Sequence, residues 1–174
     1  AGLGVAQNYV EAVRWFRSAA EQGNDFAQFS LGFLYYQGLG VAQSYVEAAR
    51  WYSFAAEQGY ADAQMLLGAM YLEGEGVEQN LSQAEQLIRG AAGQGAAYAQ
   101  LLLGGMYETG FGLPQDDILA HMWSIVSVAN AADDEFRNMA IKERDRLAAM
   151  MSSQQILVAQ GLAQRCMNSN YTNC

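Results

Sequence analysis

Apolar residues along this chain return at helical intervals and never in the strict alternation that a half-buried strand requires. Between Asp25 and Gln37, the residues Ala27, Leu31 and Tyr35 stand at i, i+4 and i+8 and so share one face of a helix. Between Tyr45 and Gln58, the residues Ala48, Trp51, Tyr52, Ala55 and Ala56 form a stripe of small and large side chains suited to interlocking with a neighbour. Gly23, Gly59 and Gly95 follow the second helices, where a residue able to take positive φ ends a helix. The pattern predicts short helices in pairs and an all-α fold.

These pairs are copies of one another. The motif Gly-x-Gly-apolar begins at Gly2, Gly38, Gly74 and Gly110, each 36 residues after the last. The same step links Trp15, Trp51, Leu87 and Trp123; Ala12, Ala48, Ala84 and Ala120; Leu31, Leu67 and Leu103; and Tyr35, Tyr71 and Tyr107. Gly32, Gly68 and Gly104 form a further column inside the first helices. Glycine there costs about 1 kcal/mol relative to alanine, so its recurrence predicts close approach of a neighbouring helix. The register holds to about residue 132, which divides the chain into a repeat array, 1–132, and a tail, 133–174.

Composition fits this organisation: there are 18 glycines but a single proline, Pro114, in 174 residues. The formal charge is −9, and all of it lies in the array, since the tail balances five acids with five bases. Such a surface repels phosphate backbones and anionic lipid, which excludes nucleic acid as a partner. It is either a solvated acidic surface or one that meets a basic partner. No apolar run approaches the roughly 20 residues that span a bilayer, so membrane insertion is not expected. The chain opens at Ala1 without a leader, and α-helical residues Trp15 and Phe16 stand without a first helix of their own; a removed signal peptide or a preceding helix is the expectation. The Gly-x-Gly loops are turns and not phosphate cradles: no strand precedes them, no lysine follows, and Glu75, Glu78, Asp116 and Asp117 would face the anion.

In the tail, Asp133, Asp134 and Glu135 open a helix, where acids suit the helix dipole, and Phe136, Met139, Ala140, Leu147 and Met150 supply its apolar face. Ser152 or Ser153 caps a last helix running through Ile156, Ala159, Leu162 and Ala163. The chain carries two cysteines, Cys166 and Cys174, across a polar stretch at the end of that helix. A disulfide between them closes a loop of about nine residues and adds roughly 2–3 kcal/mol on the chain-entropy estimate. Zinc is the alternative, but two thiolates lack the two further ligands of a structural site. A disulfide points to a compartment outside the reducing cytosol.

Chemistry has little to stand on. His121 has no nucleophile placed locally beside it. Lys142, the sole lysine, has Met139 three residues before it, so Ser-x-x-Lys is missing. Asp116–Asp117 and Asp133–Glu135 sit where helices begin and are explained by capping. The sequence predicts no catalytic residue, no metal site and no cofactor.

Leu31, Gly32 and Tyr35 followed by Ala48, Tyr52 and Ala55 resemble the tetratricopeptide arrangement, though that repeat is about 34 residues long. The longer loop between helices, with Ala-x-x-x-Leu-Gly-x-x-Tyr-x-x-Gly-x-Gly-Val and Ala-x-x-Trp-x-x-x-Ala-Ala, is similar to the SEL-1-like repeat family over residues 1 to about 132. The resemblance implies a right-handed α/α superhelical solenoid of antiparallel helix pairs, closed by a C-terminal capping helix pair. It also implies a non-enzymatic scaffold or adaptor whose concave groove binds another protein or peptide. Carried onto this chain, the groove would use Phe26, Phe29, Phe33 and Tyr36, then Met65 and Leu72, then Tyr98 and Leu101. Packing of Phe26, Phe29 and Phe33 against a preceding helix or the tail is the competing explanation. Bacterial extracytoplasmic members end in a segment like Leu162-Ala163-x-x-Cys166, which implies a periplasmic or secreted protein. Two further readings follow from relatives: an immunity protein that neutralises a secreted toxin such as a lipase, and an enzyme acting on cell-wall material.

Overall fold

The computed structural model describes residues 8–172 and 174, and among these the chain forms nine helices and no strand. The first Gly-x-Gly motif, Gly2–Val5, lies outside the described residues. The chain divides into two compact units, Ala1–Asn80 and Leu81–Cys174. The first contains α1 (Tyr9–Ala20), α2 (Asp25–Gln37), α3 (Tyr45–Glu57) and α4 (Ala61–Glu73). The second contains α5 (Leu81–Ala92), α6 (Ala97–Thr109), α7 (Asp117–Asn130), α8 (Asp134–Ala148) and α9 (Ser153–Asn168).

In the first unit each helix packs on the next. Polar side chains begin three of them: Asn8, Asn24 and Ser44 accept the N–H groups of Glu11, Ala27 and Glu47, which would otherwise be left without partners. The predicted stripes form the core, with Leu31, Ala48, Tyr52, Ala55 and Ala63 almost wholly buried. Gly32 has the role its column predicted. A Cβ there would stand 2.7 Å from the Tyr52 ring and 3.3 Å from the Ala48 carbonyl oxygen, so only glycine lets α2 and α3 come this close. The two glycines of each loop do different work. Gly38 and Gly74 cap α2 and α4 with φ of 69° and 73°, whereas a side chain on Gly40 or Gly76 would overlap the backbone of Tyr9 or Tyr45. Each loop thus rests directly on the start of the preceding second helix.

In the second unit α6 packs between α5 and α7, and α7 also carries both tail helices, α8 and α9. Gly104 repeats the close approach, its absent Cβ lying 3.1 Å from the Ala120 carbonyl oxygen. The apolar face expected for α8 needs correction. Phe136, Ala140 and Leu147 are buried, but Met139 is 47% exposed and Met150 65% exposed. Met150 lies beyond the helix end at Ala148, and Met139 lies in α8 between the buried Phe136 and Ala140 but is itself open to solvent. Ser152 caps α9 in a reciprocal box with Gln155. At its other end the Cys166–Cys174 disulfide is formed, with Cα atoms 4.8 Å apart and the Cys166 side chain buried.

A hydrogen-bonded glutamine column runs alongside the apolar ones. Gln28 and Gln64 donate to the carbonyls of Ala20 and Ala56 in the first unit, and Gln100 donates to that of Ala92 in the second. Each side chain is a second donor to a carbonyl at the end of the helix before it, which also accepts the backbone N–H of Gly23, Gly59 or Gly95. Gln58 donates to Gln28 and Asn130 to Gln100, so the acceptor ends of both buried amides are also occupied.

Candidate protein-binding surface

Two aromatic side chains of α2 are exposed, as is Trp15 of α1. Phe26 and Phe33, seven residues apart and so on one side of the helix about 10 Å apart along its axis, are 53% and 42% exposed. Phe26 meets only the edge of Phe16, with ring centroids 6.2 Å apart. Phe29 is more deeply held, stacked on Tyr60 at 4.9 Å and against Tyr52 at 5.8 Å. Tyr36 is half-buried beside Tyr45, and its hydroxyl donates to Glu75 at 2.9 Å. That bond to a carboxylate, reinforced by burial, favours the neutral phenol and pushes its pKa up to about 12. Tyr36 is therefore a fixed, neutral edge to the stripe.

The other predicted groove residues are divided between core and surface. Met65 is half-buried on α4. Leu72 is buried, so it presents little open surface. In the second unit Leu101 packs against the cluster of Ala131, Phe136 and Ala140. Tyr98 lays one ring face on Phe136, with centroids 3.8 Å apart, yet keeps 53% of its surface exposed. Part of the α6 stripe is thus covered by the tail helix α8.

Charge surrounds these faces. The first unit carries nine acidic against three basic side chains. Its Arg50 lies over the rings of Trp51 and Phe54 and pairs with Glu47. In the second unit, Arg146 bonds both Glu143 and Glu108, and its hydrogen bond, aided by its charge, holds the Glu143 carboxyl below the ordinary range. His121 lies buried in α7, its Nδ1 without a hydrogen-bond partner, and burial pushes its pKa down. Among the described residues no cluster of three His, Cys, Asp or Glu side chains could hold a metal ion, and no helix is long and apolar enough to cross a membrane.

The sequence reading missed the glutamine column, although its signal was present: Gln28, Gln64 and Gln100 recur at the same 36-residue step as the apolar positions.

Comparison with known proteins gives these features a setting. The Sel1 repeat model matches residues 1–24, 25–60, 61–95 and 97–125, in the register read from the glycine motif. A Sel1 repeat protein from Oxalobacter formigenes, known from its crystal structure, is 32% identical, with 88% of this chain and 70% of that one covered and a TM-score of 0.70. A protective antigen of uropathogenic Escherichia coli that displays an SLR fold is 27% identical, with 98% of this chain covered and a TM-score of 0.56; the match spans 44% of that longer chain. No curated protein sequence matches.

Proposed function

The chain belongs to the Sel1 repeat family, whose repeats mediate protein–protein interaction, and on that premise we propose that it is a non-enzymatic scaffold of the bacterial cell envelope that holds a partner protein on α2. The observation that carries this reading is the exposure of Phe26 and Phe33 on one side of a helix whose opposite side is core. Large aromatic side chains held on a rigid element are what interface hot spots are made of. Phe29 and Tyr36 of the same helix are held in place, Phe29 by stacking on Tyr60 and Tyr36 through its bond to Glu75.

The acidic surface favours a basic partner through long-range attraction, which raises the encounter rate more than the final affinity. An extracytoplasmic location rests on the Cys166–Cys174 disulfide, since such bonds persist where thiols are not kept reduced. The test is to identify the bound protein by cross-linking and mass spectrometry, and then to measure its affinity for Phe33→Ala and Tyr36→Ala. Each substitution is expected to weaken binding by about tenfold or more, the effect of losing a hot-spot side chain. Unchanged affinity in both would overturn the α2 site.

A further inference from the structure

The tail does more than cover α6. Between Tyr98 at the start of α6 and the outer face of α8 lies a cleft of about 410 Å³. Its α8 wall is a single stripe, because Glu135, Met139 and Lys142 stand at i, i+4 and i+7 of one helix. Tyr98 lines it from α6: one ring face lies on Phe136, and about half of the residue is exposed. Asp133 joins Glu135 at one end of the cleft, and Lys142, the only lysine of the chain, stands at the other. Met139, left out of the core, is the half-exposed apolar surface between them.

An electronegative end beside a half-exposed aromatic ring, an apolar middle and a cationic far end form a polar slot with direction. We propose that this cleft receives an extended segment of a partner polypeptide carrying an arginine and, three residues away, a carboxylate. The guanidinium stacks on Tyr98 and pairs with Glu135 and Asp133. An ammonium would fit less well, because only the planar and more weakly hydrated guanidinium both stacks and forks towards a carboxylate. The spacing follows from α8 itself. Glu135 and Lys142 are seven residues apart, about 10 Å along a helix, which three residues of an extended polyproline II segment cover at about 3.1 Å each while bringing the first and fourth side chains to the same side. An intervening apolar side chain, turned about 120° from both, leans on Met139, whose flexible thioether adapts to it.

The proposal rests on the reading that this protein binds protein, but it does not use the α2 stripe. It is tested on the full chain with the synthetic peptide acetyl-Arg-Leu-Ala-Glu-amide, followed by NMR of labelled methionine methyl groups. The expected result is a saturable shift of the Met139 methyl. Replacing arginine by uncharged citrulline in the peptide, or Glu135→Gln in the protein, should weaken binding by about tenfold, as loss of a charge-assisted pair does. Exchanging the peptide's glutamate for glutamine should weaken binding to the native chain but not to Lys142→Gln. Glu135 and Lys142 are exposed surface residues of α8, so these variants leave the core intact. No saturable shift, or equal affinity for the arginine and citrulline peptides, would overturn the proposal. In that event a partner that still depends on Phe33 would leave the α2 reading standing; if the peptide binds as expected and Phe33→Ala is silent, the α2 reading alone fails.

Discussion

The hydroxyl of Tyr171 donates a 2.7 Å hydrogen bond to Oδ1 of Asn130, joining the disulfide-closed loop to the end of α7. Asn130 passes the link on to Gln100, and Gln100 to the carbonyl of Ala92, so one polar chain runs from the C-terminal loop to the end of α5. The Tyr171 ring also lies 3.3 Å from where a Cβ on Gly95 would be, and its backbone takes a φ of 64°. A tyrosine in the left-handed region costs about 1–2 kcal/mol, so the hydrogen bond and ring contact must hold it there. Tyr171→Phe is expected to lower stability by about 1 kcal/mol, and Asn130→Ala by about 2 kcal/mol because it strands both neighbours. Urea denaturation of the full chain measures both, and native-like midpoints would show that the loop is not seated by this bond.

Two glycines of neighbouring helical positions should respond to alanine in opposite directions. Gly32→Ala forces a methyl group into the Tyr52 ring and is expected to cost about 1–3 kcal/mol through overpacking. Gly105 lies within α6 and has no atom within 4 Å of its missing Cβ, so Gly105→Ala should stabilise by up to about 1 kcal/mol through helix propensity alone. Thermal melting separates the two, and a loss in both would mean that the open space at Gly105 is needed.

Stability should fall on mild acidification because of His121. Burial, with the nearby Arg144 charge, depresses its pKa below the ordinary 6.5 in the folded chain, against a smaller opposing effect of a backbone bond at Arg144 and the charge of Asp145. Above pH 6.5 the ring is neutral whether folded or unfolded and contributes no pH dependence. Below it the unfolded chain takes up the proton first, so stability drops as pH falls towards the folded pKa. Glu143, whose pKa is lowered from 4.5, contributes only below that value, so melting temperatures between pH 5 and 7.5 isolate the histidine. His121→Leu should flatten the slope across this interval; an unchanged slope would place its origin elsewhere.

The helices and their 36-residue step were legible because Leu31 recurs as Leu67 and Leu103, and Ala48 as Ala84 and Ala120, all of them buried. The same spacing could not say which of two apolar stripes on a first helix stays open. The α2 sequence is apolar on nearly all sides, so Phe33 and Leu34 look alike in the sequence, yet one is 42% exposed and the other buried. Leu72 reads as the counterpart of Tyr36 but lies in the core, since the position each occupies depends on which neighbour comes to rest against it.

By itself, the sequence determined the elements, the repeat and the cysteine pair, all of which follow from residues close along the chain or repeated at a constant interval. Tertiary structure decided the rest. It placed α8 over Leu101, left Met139 outside beside Tyr98, and seated Tyr171 on Asn130, 41 residues away. The tail has no repeat to fix its register, so its contacts depend on how shape and hydrogen bonds match across long separations, which no local pattern encodes.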